Sequence, residues 1–212
     1  MKITRSAGLG AGIVVATVVV SGALVAPAEA AKLPPLGSFG IHAPGWTEPS
    51  AGLWSRATKG KSCMIGKRCK VRGWILQTDG EGLWMESVGR TKSSRTATKL
   101  ARSLRATERK SLALAVDRGP SFVQWRKVRT RGAQVWAGTG SISKNPEIHI
   151  RYVIAVKGNR FAYAAGYVKG PGMPQGKRLS KPLVKLVKGK SRVPKIKGKA
   201  GGLIPVVQSV QN

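Results

Sequence analysis

Most of the side chains that could do chemistry in this sequence are lysines and arginines. The 212 residues include 38 Lys and Arg but only 8 Asp and Glu, so the formal net charge is +30 at pH 7. A charge of this size indicates a class of partner rather than a fold, because polyanions bind such a surface and release their counterions. We therefore expect the protein to bind polyanions; charge that only confers solubility is the alternative.

Two segments carry the residues that we predict to contact a polyanion. The first surrounds a pair of cysteines, and the second belongs to a stretch with no acidic residue between Lys177 and Lys199. Single contacts of this kind are weak, so affinity would come from their number. The predicted residues are Lys59, Lys61, Lys67, Arg68 and Lys70 in the first segment and Lys188, Lys190, Arg192, Lys195, Lys197 and Lys199 in the second.

The two cysteines, Cys63 and Cys69, are close in sequence. In an exported chain an even, closely spaced pair is typical of a disulfide, which here would close a small basic loop. A zinc site would need His42 and His149 as well, and both are distant in sequence; free thiols are the third alternative. We expect the disulfide, with no metal and no other cofactor.

Few residues suggest catalysis. Asp79 and Glu81 lie in a glycine-rich turn, where Asp is favoured for backbone reasons, and Glu147 with His149 could form a couple on one strand face. No nucleophile motif accompanies either pair, so we expect a non-catalytic protein. A cationic membrane-active effector and an extracellular hydrolase or nuclease are the alternatives. Among six tryptophans, Trp54 is the candidate for an exposed contact with bases or sugars.

The first 30 residues have the pattern of a secretory signal peptide. Lys2 and Arg5 precede an uncharged stretch that runs to Ala28, and Ala28-Glu29-Ala30 is a small-x-small exit. We expect cleavage after Ala30; cleavage after Ala28 and an uncleaved membrane anchor are the alternatives. The protein would then be secreted or associated with the cell envelope, where wall polymers, anionic lipids and nucleic acid are the available polyanions. Residues 31–188 would form the domain, and residues 189–212 a basic flexible tail.

The elements that must position these residues are predicted from periodicity. Apolar residues recur with helical spacing in two segments and alternate in the remainder. The hairpin around Gly158-Asn159 has a bulky face and a face of small residues, so both faces need cover. We predict a single α+β domain, an antiparallel sheet with helices packed on both faces. The predicted strands are 38–43, 71–78, 83–88, 122–129, 133–142, 148–156 and the strand that returns from residue 160, and the predicted helices are 94–110 and 179–187.

The sequence FGIHAPGW at residues 39–46 carries a family resemblance. Together with the element order it resembles the PsbP-like group of small α/β/α domains, which includes secreted actinobacterial proteins of the LpqN type. In that group an N-terminal strand ends in a Pro-(x)-Gly-Trp turn, and the resemblance would cover about residues 37–188. It implies a non-catalytic binding or assembly role but transfers no ligand-contacting residue. The cysteine loop, the basic tail and the charge depart from the family pattern.

Overall fold

The computed structural model describes residues 33–41, 44–48, 64–76, 82–115, 121–142, 147–169, 173–174 and 176–203. Within these residues seven antiparallel strands form one sheet in the order β1-β2-β3-β7-β6-β5-β4. The strands are β1 Trp46–Thr47, β2 Lys70–Leu76, β3 Gly82–Arg90, β4 Ser121–Val128, β5 Gln134–Ile142, β6 Ile148–Lys157 and β7 Arg160–Lys169. Two helices accompany the sheet, α1 Ser94–Ala115 and α2 Lys177–Lys188. The predicted α+β class is therefore confirmed.

The hairpin of β6 and β7 forms the centre of the sheet. Lys157 lies opposite Arg160 in the register, and the turn between them contains Gly158 with φ +55, a conformation that glycine adopts without strain. From this register, Tyr152 and Ile154 project from one face of the sheet, and Val153 and Ala155 from the other. The strict alternation of the sequence thus produces two apolar faces, each of which has to be covered.

The helices cover opposite faces of the sheet. Helix α1 packs its small and apolar residues against the bulky face, where the side chains of Tyr152, Phe161 and Tyr163 are fully buried. Helix α2 packs against the face of small residues, which allows a close approach. The α1 face contains Ala97, Ala101 and Leu104 of the helix, and the α2 face contains Leu179, Leu183 and Val187 with Val153, Ala162 and Ala164 of the sheet.

The helix termini follow local sequence only in part. The hydroxyl of Ser93 accepts a hydrogen bond from the backbone N–H of Thr96 at 3.2 Å and caps the N-terminus of α1. Helix α2 begins at Lys177, two residues before the predicted start, so Pro182 lies in its second turn rather than its first. Proline there leaves the carbonyl of Arg178 without its helical donor. Pro182 is nevertheless accommodated as a buried residue of the helix.

The N-terminal segment differs from the prediction. Residues 38–43 were expected to be extended, but Leu36–Phe39 forms a 3-10 helix that ends at Gly40, whose φ is +78. The turn carries Phe39 into the α2 face, where its ring lies edge-on to Trp84 at a centroid distance of 5.2 Å. Burying this aromatic residue outweighs the local preference for extended backbone. Residues 42–43 lie outside the described residues.

Residues 189–212 were predicted to be a flexible tail, but residues 189–203 are packed against the domain. We call residues 189–203 the C-terminal strap. At the end of β3, the backbone N–H of Arg90 donates to the carbonyl of Pro194, and the N–H of Ile196 donates to the carbonyl of Arg90, both at 2.8 Å. Val193 packs on the α2 face, whereas Ile196 and Leu203 pack on the α1 face, so the strap passes from one face of the sheet to the other. Its few apolar residues are separated by Lys, Gly and Pro and form no periodic pattern that predicts a packed segment. The strap is held by the burial of these apolar residues against distant parts of the chain. Residues 204–212 lie outside the described residues.

Candidate polyanion-binding surfaces

The strap brings the two predicted basic segments together. The backbone N–H of Lys67 donates to the carbonyl of Lys197 at 2.6 Å, and the N–H of Lys197 donates to the carbonyl of Lys67 at 2.9 Å. Their side chains are exposed. We call this the strap surface, and it consists of Lys67, Arg68, Lys70, Lys195, Lys197 and Lys199. Lys59 and Lys61 lie outside the described residues.

The cysteine loop is described only from Met64 onward. Met64 and Ile65 are buried on the α1 face, and the N–H of Gly202 donates to the Met64 carbonyl at 3.0 Å. The Cys69 sulfur lies 3.7 Å from the carbonyl oxygen of Gly66, and Cys69 is not a free thiol. Because Cys63 lies outside the described residues, its pairing with Cys69 stays a prediction.

A second basic surface, not predicted as a site, is a groove along α2. It has a volume of about 970 Å³ and lies between the helix and the turn from β4 to β5. We call it the α2 groove. Its cationic lining residues are Arg129, Arg131, Lys177, Arg178, Lys181, Lys185 and Lys188, the last of which was predicted as a contact residue.

Helical spacing explains one wall of the α2 groove. Lys177, Lys181 and Lys185 follow one another at intervals of four residues, so they share one face of α2. The other wall is the β4–β5 turn, in which the Thr130 hydroxyl donates to the Ala133 carbonyl at 2.7 Å. The Lys188 ammonium reaches the Arg131 carbonyl at 3.4 Å and joins the two walls. The i, i+4 spacing was visible in the sequence, but the facing turn was not.

Little negative charge offsets these cations. No acidic side chain is among the described residues that line the α2 groove. Elsewhere, Glu86 and Glu108 are buried, and Glu48 is paired with Arg72. A cleft lined with charge of one sign concentrates the electrostatic potential and attracts counterions. The α2 groove is therefore suited to a polyanion that can contact both walls.

Two further predicted contact residues lie on the strap outside both surfaces. Lys190 and Arg192 are exposed residues of the strap, just beyond α2, and the guanidinium of Arg160 donates to the Ser191 carbonyl at 2.8 Å. The basic stripe on α1, which includes Arg95, Lys99, Arg102 and Arg109, is also exposed. A solvated outer face remains the interpretation of that stripe.

A smaller cavity adjoins the groove at the start of α2. Its volume is about 510 Å³, and it shares Arg129 and Lys177 with the α2 groove. Strands β4, β5 and β6 form its floor, where Arg151 lies with only 5% of its surface exposed. We call it the helix-start cavity. Arg151 was not predicted as a site residue, although alternation along β6 places it on the same face as Val153 and Ala155, which was expected to be covered.

The structure buries two carboxyl groups, those of Glu86 and Glu108, whose burial was not predicted from the sequence. Desolvation raises the pKa of Glu86 well above its ordinary value, although the nearby Arg72 lowers it. Burial also raises the pKa of Glu108 to about 7, against the effect of hydrogen bonds from Tyr163 and Leu203. The Leu203 N–H donates to Glu108 at 2.8 Å, and the Tyr163 hydroxyl donates to the same carboxyl oxygen. Glu108 thus anchors the end of the strap.

Of the predicted catalytic candidates, the structure describes Glu147 and His149. Glu147 is exposed at the start of β6, and His149 is half-buried within that strand. Within the described part of the chain no group of three or more His, Cys, Asp and Glu residues could hold a metal ion. His42, Trp54, Asp79 and Glu81 lie outside the described residues.

Comparisons with known proteins do not assign the chain to a family. No family model and no curated protein matches the sequence. Among solved structures, the extracellular domain of PknH from Mycobacterium tuberculosis is similar with a TM-score of 0.43 and 9% identity, over 75% of this chain and 92% of that chain. This similarity is too low to support an inference, and the PsbP-like resemblance stays a prediction. Among the described helices, none has the length and apolar character needed to span a membrane.

Proposed function

We propose that this protein is an extracytoplasmic, non-catalytic binding protein that associates with anionic polymers or surfaces of the cell envelope through its α2 groove. The observation that carries the proposal is the groove itself: seven Lys and Arg residues line one cleft, with no acid among its described lining residues. The predicted signal peptide supports the location outside the cytoplasm. The strap surface would add weaker contacts.

The proposal requires position as well as charge to matter. Binding through charge alone depends on the number of cations and would not distinguish one exposed lysine from another. Binding in the groove gives greater weight to lysines that face the opposite wall, because a polymer there contacts α2 and the β4–β5 turn together. Pairs of exposed lysines on the groove, the strap and α1 separate these two cases.

Three double variants with the same charge change test the proposal. They are Lys181→Gln/Lys185→Gln in the groove, Lys195→Gln/Lys197→Gln on the strap surface and Lys99→Gln/Lys110→Gln on α1, all at exposed positions. We expect the groove pair to weaken binding to teichoic acid by about ten- to thirtyfold, since each phosphate contact contributes about 1 kcal/mol. The α1 pair should weaken it severalfold less. Fluorescence anisotropy across a salt series measures both affinity and salt slope.

The outcomes discriminate among the functional classes. Equal losses of affinity in all three variants would refute binding in the groove. A larger loss of affinity in the strap pair would show that the polymer binds the strap surface instead. Duplex DNA, anionic vesicles and a neutral glycan complete the ligand panel. Dye leakage from the vesicles would favour the membrane-active alternative, and turnover of a polymer would favour the hydrolase.

A further inference from the structure

The helix-start cavity differs from the rest of the basic surface because a buried arginine, Arg151, lies on its floor. Strand residues form its floor, and the first turn of α2 forms a wall with Gly176, Lys177 and Leu179. Its volume of about 510 Å³ falls within the range of small-molecule sites in proteins. The cationic residues that line it are Arg126, Arg129, Arg151 and Lys177. Lys127 also borders the cavity, but its register with Trp136 and Ile154 places its side chain on the opposite face of the sheet.

The start of α2 presents backbone donors to this cavity. The N-terminal cap is Gly176, which has no side chain to accept from the helix, and the first turn contains no acidic residue. The Ser180 N–H bonds to the Gly176 carbonyl at 3.2 Å, so the N–H groups of the three preceding residues have no helical acceptor. These groups and the helix dipole favour an anion at this end.

Arg151 supplies an independent sign of a ligand. One guanidinium nitrogen donates to the Ile150 carbonyl at 3.0 Å, but the buried Nε of Arg151 has no hydrogen-bond partner among the described residues. Desolvation lowers the pKa of this guanidinium. Burying a charged group without a counter-ion is costly, and an anion in the cavity would offset that cost by compensating the charge of the guanidinium.

We propose that the helix-start cavity binds a phosphate group carried on a sugar or polyol, with Arg151 and the first turn of α2 holding the phosphate. Several cations around one cavity suit a multiply charged phosphate better than a single carboxylate. The cavity exceeds what a bare phosphate needs, and Gln124 and Thr139 on its floor offer hydrogen bonds to hydroxyl groups. This inference deepens the proposed function but rests on different residues.

Calorimetric titration of the protein without its predicted signal peptide, residues 31–212, tests the site. The probes are glycerol 3-phosphate, glucose 6-phosphate, inorganic phosphate, glucose and glucuronic acid. We expect a Kd below about 1 mM for the two phosphorylated polyols, weaker binding of inorganic phosphate and glucuronic acid, and none of glucose. Equal binding of all the anions, or a Kd above about 10 mM for the phosphorylated polyols, would overturn the proposal.

Variants locate the phosphate. Arg151→Gln should weaken glycerol 3-phosphate binding at least about tenfold, and Arg151→Lys should recover only part of it because lysine lacks the planar fork. Arg126→Gln, an exposed lining residue, tests the site without disturbing the floor, and exposed Arg95→Gln on α1 is its control. Unchanged affinity in both Arg151→Gln and Arg126→Gln would refute the site.

The two proposals can fail separately. Lys181→Gln/Lys185→Gln should leave glycerol 3-phosphate binding unchanged, because neither lysine lines the helix-start cavity, yet it should weaken polymer binding. Competition with a glycerol phosphate polymer identifies the source of the phosphate. Displacement of the bound probe would show that the cavity binds phosphate groups of a polymer. If the polymer does not displace the probe, the cavity binds free phosphorylated polyols.

Discussion

At the residue scale, Glu108 shows how one buried group joins distant parts of the chain. It belongs to α1, accepts a hydrogen bond from Tyr163 of β7 and another from the backbone of Leu203 in the strap. Its second carboxyl oxygen is buried without a partner among the described residues, which suits a protonated carboxyl. Glu108 continues the helical spacing of Ala97, Ala101 and Leu104, so periodicity already placed it on the packed face of α1. Its contacts with β7 and the strap depend on tertiary structure.

The raised pKa of Glu108 predicts a pH dependence of stability. The folded state holds a proton with a pKa of about 7, whereas the unfolded chain releases it near 4.5. This contribution is fully present below pH 4.5, and we expect the free energy of unfolding to fall by up to about 3 kcal/mol as the pH rises to about 7. Urea denaturation across this window measures the slope.

Glu108→Gln should flatten that slope, because a neutral amide does not titrate. The buried Glu86 remains and keeps part of the slope, since its pKa is also raised. Exposed Glu147→Gln is the control and should leave the slope as it is in the wild type. A Glu108→Gln variant with an unchanged slope would contradict the assignment.

At the element scale, the strap is the largest departure from what local sequence predicts. Leu203 is 1% exposed and packs on the α1 face, while the neighbouring Lys199 is exposed. A flexible tail would leave both side chains in water. Burial of a leucine beside the Glu108 carboxyl makes the strap part of the core.

We expect Leu203→Ala to lower the free energy of unfolding by about 2 to 4 kcal/mol through the lost apolar burial and the cavity left behind. Lys199→Ala on the same strap should change it by less than about 0.5 kcal/mol. Chemical denaturation of both variants gives the comparison. Similar stabilities for the two variants would mean that the strap does not pack in solution.

At the scale of the whole molecule, a net charge of +30 opposes the compact state through self-repulsion. Salt screens charges separated by more than about 8 to 10 Å at physiological ionic strength. The cations of the α2 groove and the helix-start cavity add local repulsion, because they face one another across clefts.

We expect Tm to rise by a few degrees, roughly 3 to 8 °C, when NaCl increases from about 50 mM to about 500 mM. Phosphate at equal ionic strength should raise Tm further if it occupies the helix-start cavity. The Arg151→Gln variant should keep the rise with NaCl but show no additional rise with phosphate. Differential scanning calorimetry provides the measurement. A Tm that is constant or falls with salt would show that repulsion does not limit stability.

The sequence by itself determined the alternation of the central hairpin, the helical periodicity of α1 and the excess of cations. These are local properties, and they were sufficient for the α+β class and for a sheet covered on both faces. Tertiary structure decided which cations meet. Lys67 and Lys197 become neighbours through backbone pairing, and the α2 groove needs the β4–β5 turn opposite the helix. The meeting of Arg151 with the first turn of α2 and the packing of the strap depend likewise on contacts between segments far apart in the chain, which local periodicity does not encode.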